Sequence, residues 1–190
     1  VSKSHFWRRA FQRAALTQRL LRQAGNCFVV VAAWQRLEAM AKRSAGILPY
    51  RRSSNELQVL LVHPGGPFWQ SRDLGAWSIA KGEYGDDEQP EAAARREFVE
   101  ETGWKLKGAL LPLGELRQRG GKFITAFGVE GDFDAGSLRS NMFEMEWPPR
   151  SGRMQFFPEI NRAEWFGLDM AREKLLVGQW PFLDRLVVSV

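Results

Sequence analysis

One cysteine, Cys27, stands in the whole chain of 190 residues. No intramolecular disulfide can form, which suits a reducing cytoplasm. Histidine is nearly as scarce, with His5 and His63 the only two, so a zinc centre built on His and Cys is close to excluded. Long apolar runs are missing too. The longest, CFVVVAAW at 27–34, falls far short of the ~20 residues a membrane-spanning helix requires. No internal repeat or low-complexity tract is visible. What remains, 44% hydrophobic and 26% charged, is the composition of a globular domain with enough chain to bury a core.

Acidic residues are almost absent from the first 40 positions, where Lys3, Arg8, Arg9, Arg13, Arg19, Arg22 and Arg36 face Glu38 alone. That segment carries +6 of a total of +5, so residues 41–190 are close to neutral. Overall basicity is therefore a property of an N-terminal extension and no argument for nucleic-acid binding by the body. Three expectations stand for 1–40: an Arg-rich targeting peptide, a basic amphipathic partner-binding or surface helix, or a mis-called start ahead of Met40. The domain proper is expected at 41–190.

From Ala45 onward the texture is that of alternating elements. AGILPY (45–50), ELQVLLVH (56–63), AWSIA (76–80) and AEWFGL (163–168) read as strands, with RRSSN (51–55) as a turn. Residues 109–118 and 122–130 flank Gly120-Gly121 as a hairpin. Pro90 suits a first helical position and Gly103 a stop, which predicts a helix over 90–102 after a loop at 82–89. Further helices are predicted at 168–176 and 180–188, and 131–158 reads as a long irregular segment. Strands interleaved with helices predict an α/β layered domain.

The charge that is present is concentrated. Residues 82–104, GEYGDDEQPEAAARREFVEETGW, hold eight Asp/Glu. On a helix Glu97, Glu100 and Glu101 share one side, where like charges three and four apart repel by a few tenths of a kcal/mol per pair. A solvated face is the ordinary explanation. Two features argue against it: a glycine-containing loop directly precedes the trio, and Phe98 and Val99 flank it, so that packing on both sides would turn the acids into a cleft. Clustered carboxylates without His or Cys favour a hard divalent cation, and Mg²⁺ held by carboxylates and phosphate oxygens suggests attack of water on a phosphoanhydride.

The stretch resembles the Nudix box, Gly-x5-Glu-x7-Arg-Glu-U-x-Glu-Glu-x-Gly-U with U bulky and apolar. It matches at Gly82, Glu88, Arg96, Glu97, Phe98, Glu100, Glu101, Gly103 and Trp104, and the resemblance extends loosely over 45–187. It implies an α/β/α sandwich with a mixed sheet and hydrolysis of a nucleoside diphosphate linked to another group. By the same resemblance Glu97, Glu100 and Glu101 are ligands of Mg²⁺ or Mn²⁺, one of them a possible base, with the Lys81 carbonyl a further ligand. Glu88 and Arg96 are a supporting ion pair, and Gly82 lets backbone approach the metal. Glu159 is the candidate carboxylate outside the box, with Glu144 and Glu146 as rivals.

The lead-in WSIAKGE resembles the Trp-x-x-Pro-Lys-Gly of Nudix enzymes acting on dinucleoside polyphosphates, with Ala80 in place of proline. Lys81, Arg51 and Arg52 are candidates to meet phosphate. Phe68, Trp69, Phe143 and Trp147 are candidates to stack on a base, Trp69 and Trp147 foremost. His63 reads as a packing residue. The expected partner is a small nucleotide. The alternatives are RNA 5′-end pyrophosphate removal, which would employ the basic extension, and a nucleotide-sensing module without turnover.

Overall fold

The strand that organises the fold also has the longest unbroken buried run. In β1 (Arg43–Ser53) burial is unbroken from Ser44 to Pro49, the mark of a strand covered on both faces. It runs parallel to β5 (Phe123–Glu130). On its other side it pairs antiparallel with β3 (Ala80–Tyr84) through residues 43–47 and with β2 (Glu56–Pro64) through 50–53. Adding β4 (Leu111–Arg117) and β8 (Ile160–Gly167) gives the order β4-β5-β1-β2-β8, with β3 on β1. This computed structural model describes residues 42–190 apart from Asn55; the N-terminal extension at 1–40 lies outside the described residues.

Side-chain alternation divides the core in two. Leu48, Val59, Leu61, Ile124 and Ala126 meet Ala171 of α2 (Leu168–Lys174) and Phe182, Leu183 and Leu186 of α3 (Trp180–Ser189). Ala45, Ile47, Leu60, Val62, Phe127 and Val129 meet Ala93, Ala94 and Phe98 of α1 (Pro90–Thr102). The result is a mixed sheet with helices on both faces, the expected α/β/α sandwich. Among the described residues no helix is long and apolar enough to cross a membrane.

Four expectations need correction. The segment 76–80 is not a strand of its own, because its backbone divides between two partners. Ser78 exchanges hydrogen bonds with Val62 at 2.9 Å each way, whereas Trp77 bonds Lys174 and Leu176. The strand begins only at Ala80 and continues through Gly82 to Tyr84, taking the first part of the expected loop. Arg51 to Ser53, expected in a turn, extend β1, and the reversal comes at Ser54 with φ 50°. The stretch 131–158 is not wholly irregular either. It holds a separate two-stranded ribbon, β6 (Met142–Glu146) against β7 (Met154–Pro158), whose mixture of acidic and apolar residues conceals the period of two.

Candidate active site

Helix α1 is fixed by its ends and by small residues more than by a broad apolar stripe. Pro90 opens it, and Gly103, at φ 77°, returns its N–H to the Val99 carbonyl. Only Ala93, Ala94, Phe98 and Thr102 are buried. Val99 is 39% exposed, which corrects the expectation of packing on both flanks: the helix is held on the Phe98 side alone.

Gly82 shows why the acids sit where they do. A Cβ there would lie 1.6 Å from Glu97 Oε2, so the missing side chain makes room for the Glu97 carboxylate against β3. One residue earlier the Lys81 N–H donates to Glu101 Oε2 at 2.7 Å. In an antiparallel strand a residue's N–H and C=O point to the same side, so the Lys81 carbonyl faces these carboxylates as well. Glu97 and Glu101 are thus drawn onto the strand, while Glu100 stays outward, with its side chain 46% exposed against 13% for Glu97.

Arg96 ties the acids together. It grips Glu88 with two parallel bonds, Nε to Oε1 at 2.9 Å and Nη2 to Oε2 at 2.8 Å. Its Nη1 reaches Glu97 at 2.7 Å and Glu100 at 3.1 Å. The guanidinium holds the Glu88 carboxyl below its usual range, and Glu88 in turn drives the Arg96 pKa upward. The expected Glu88–Arg96 pair is present, and Arg96 does more than link loop to helix.

Burial pushes the Glu97 carboxyl up, and the charges of Glu100 and Glu159 add to it. Burial likewise pushes Glu101 up to about 7, against the lowering influence of Lys81, with Glu159 and Glu97 raising it further. Glu159 therefore lies close enough for its charge to be felt at both helix acids. It sits at the bend between β7 and β8. Its rivals stand elsewhere: Glu144 and Glu146 project from the exposed side of the ribbon, and Glu146 caps the Gly152 N–H at 2.7 Å.

The remaining candidates are more dispersed. Lys81 acts electrostatically on Glu101 and on Lys122. Lys122, which carries no motif to announce it, has its pKa lowered by burial and by Lys81, and it bonds Glu83 at 3.1 Å together with Lys42. Arg51 is engaged within the protein. It donates to Gln58 Oε1 at 3.0 Å, pairs with Asp132 and lies 4.2 Å over the Trp165 ring. Trp69 lies in the loop after β2 beneath Arg72, and Phe68 meets Trp147 edge-on at 5.2 Å. His63 is buried against Trp77, donating Nε2–H to the Arg72 carbonyl at 2.7 Å, a packing residue as expected.

The donors fit a hard cation in kind, all oxygen and mutually repelling. In this arrangement Arg96 and the Lys81 amide engage the helix acids, and among the described residues no three His, Cys, Asp or Glu side chains converge as a metal-holding group.

The family model for the NUDIX domain matches residues 40–186. Among solved structures, a binary complex of an Ap4A hydrolase from C. elegans is similar, with a TM-score of 0.53 and 18% identity, covering 77% of this chain and 96% of that one. The NUDIX domain of Shewanella oneidensis NrtR complexed with ADP ribose gives 0.54 and 15%, covering 78% and 88%. A mutT/nudix family protein from Listeria innocua gives 0.51 and 16%, covering 78% and 92%. At these identities the structures show the shared fold. No curated protein matches the sequence.

Proposed function

The chain belongs to the Nudix family as one of its hydrolases, and from that premise we propose that it cleaves a phosphoanhydride bond in a nucleoside diphosphate-linked substrate with the help of Mg²⁺ or Mn²⁺. A dinucleoside polyphosphate or related nucleotide is the substrate this reading favours. The observation that carries it is the pairing of Glu97 and Glu101 against β3, with the Glu159 charge bearing on both. Repulsion of that kind in partly buried surroundings is relieved by a divalent cation. The lead-in and the aromatic loop residues support a nucleotide, and the single cysteine suits a cytoplasmic setting.

In this reading Glu97, Glu100 and Glu101, with the Lys81 carbonyl, would hold the cation. When bound, it neutralises phosphate charge and lowers the pKa of coordinated water. Arg96 keeps Glu97 and Glu100 in register and Glu88 anchors Arg96, as supporting hydrogen bonds do around metal ligands. Lys81 presents its ammonium to a substrate phosphate as a point charge. Glu159, which comes from outside the helix, accepts the proton of the attacking water at a carboxylate oxygen.

The test is a phosphate-release screen with Mg²⁺ over dinucleoside polyphosphates, nucleotide sugars, NADH and 5′-triphosphorylated RNA, with Glu97→Gln beside the wild type. The expected result is turnover of dinucleoside polyphosphates by the wild type and a loss of at least about a hundredfold in the variant. Equal rates for the two proteins would remove the mechanism. A preference for RNA would move the substrate to the 5′-end class.

A further inference from the structure

Glu159 lies far in sequence from the helix acids and stands at a bend, where a carboxylate would ordinarily wander with its loop. The backbone around it does not wander. Its carbonyl accepts the Gly65 N–H at 2.9 Å, and its own N–H donates to the Asn141 carbonyl at 2.8 Å. The next amide, Ile160 N–H, donates to Ser140 Oγ at 2.8 Å. Immediately beyond, the β2–β8 ladder slips: His63 pairs with Arg162 but Pro64 pairs with Ile160, leaving Asn161 as an extra residue. A bulge of this kind bends the strand and re-aims the side chains beside it.

Gly65 occupies the crossing itself. A Cβ there would lie 1.9 Å from the Pro158 carbonyl oxygen and 2.8 Å from its carbon, and neither is the end of a flexible side chain that could yield. Any other residue at 65 must push the β7–β8 bend, and Glu159 with it, away from the loop after β2.

We infer that Gly65 and Ser140 are positioning residues that fix the Glu159 carboxylate at the β7–β8 bend. This rests on the reading of Glu159 given under Proposed function. Gly65 sets how closely the bend approaches, and Ser140 holds the bend from the opposite side by satisfying the amide after Glu159. Both act through the placement of one carboxylate.

The experiment is a double-mutant cycle on the full chain. Gly65→Ala, Ser140→Ala and Glu159→Gln are made singly, and each of the first two is combined with Glu159→Gln. Two measurements are made: Mn²⁺ affinity by calorimetry without nucleotide, and steady-state kinetics, giving kcat and KM, on the best substrate of the screen. Because the Glu159 charge bears on Glu97 and Glu101 and adds to the negative field a cation meets there, we expect Gly65→Ala to weaken Mn²⁺ binding, and to lower kcat by about tenfold to a hundredfold with KM little changed. Ser140→Ala should lose about fivefold. In the Glu159→Gln background neither should lose more. Losses that multiply in that background would overturn the inference, as would a Gly65→Ala protein with wild-type values, or a Glu159→Gln protein that keeps both while Gly65→Ala loses them. Should Gly65→Ala fail to fold, the Ser140→Ala cycle decides alone. Should no substrate be turned over by the wild type, the proposed function fails, while the Mn²⁺ cycle still decides for or against the clamp.

Discussion

Helices α1 and α3 lie on opposite faces of one sheet and are built on opposite plans. Helix α3 buries Phe182, Leu183 and Leu186 in the larger of the two cores. Helix α1 buries two alanines, one phenylalanine and one threonine, and gives Glu97, Glu100 and Glu101 to the side that faces β3 and solvent. One helix is held by apolar area. The other is held by closeness, through Gly82 beneath Glu97, the Lys81 amide on Glu101 and Arg96 across to Glu88. Repelling acids are tolerable where position does not depend on a broad apolar stripe.

The largest expected effect breaks the α3 side. Phe182 is wholly buried, and Phe182→Ala should lower unfolding free energy by about 3–5 kcal/mol while the folded fraction keeps its specific activity. Urea melts and active-site-normalised rates check both halves. The converse on α1 is Glu97→Gln, which should lose at least about a hundredfold in kcat with melting unchanged or raised. If Glu97→Gln proved as unstable as Phe182→Ala, the two plans would not be distinct.

Glu101 sharpens the contrast through pH. Its folded pKa, about 7, lies above the ordinary carboxylate value because of burial and the neighbouring acids. For a raised acid the native state binds the extra proton, so the stabilisation is complete below about pH 4.5 and is lost as pH rises through about 7. Glu101→Gln keeps an oxygen for the Lys81 amide and removes the charge. In EDTA the variant should therefore exceed the wild type by about 3 kcal/mol at about pH 8 and match it near pH 4.5. Thermal melts across that range, with chelator, read the difference. A gap that widened toward acid would reverse the sign and show that Glu101 is stabilised as the anion.

Much of this is legible in the sequence, for identifiable reasons. The bounds of α1 follow from Pro90 and Gly103, residues whose backbone constraints act locally, and its three acids share a side by helical spacing alone. The layered α/β class follows from apolar strands alternating with helices, and the mixed sheet is what the likeness of 82–104 to the Nudix box implies. The ribbon β6–β7 escapes a sequence reading because its exposed residues, Met142, Met154 and Phe156 among them, break the polar–apolar alternation that marks a half-buried strand. The division of Trp77 and Ser78 between two partners cannot be read from a segment whose own pattern is that of a strand. Gly82 reads as a point of close backbone approach, but that its missing side chain admits Glu97 needs the crossing of two elements in space. The same holds for Gly65 against Pro158.

The smallest effect tests the tie that replaces apolar area on α1. Arg96 engages Glu88 through two nitrogens while a third spans Glu97 and Glu100. A planar fork can make these contacts together, whereas an ammonium on a flexible stem cannot. Arg96→Lys keeps the charge and removes the geometry, so electrostatic neutralisation is preserved and register is lost. It should lower kcat about tenfold, leave KM for the nucleotide close to wild type, and shift the melting temperature by only a few degrees, since the pair is partly exposed and such pairs contribute little to stability. Steady-state rates and a thermal melt on the same preparation separate the two quantities. A variant with wild-type kcat would mean that charge alone keeps the acids in place; a variant that melted far lower would mean that α1 depends on this contact for its fold as α3 depends on its apolar core.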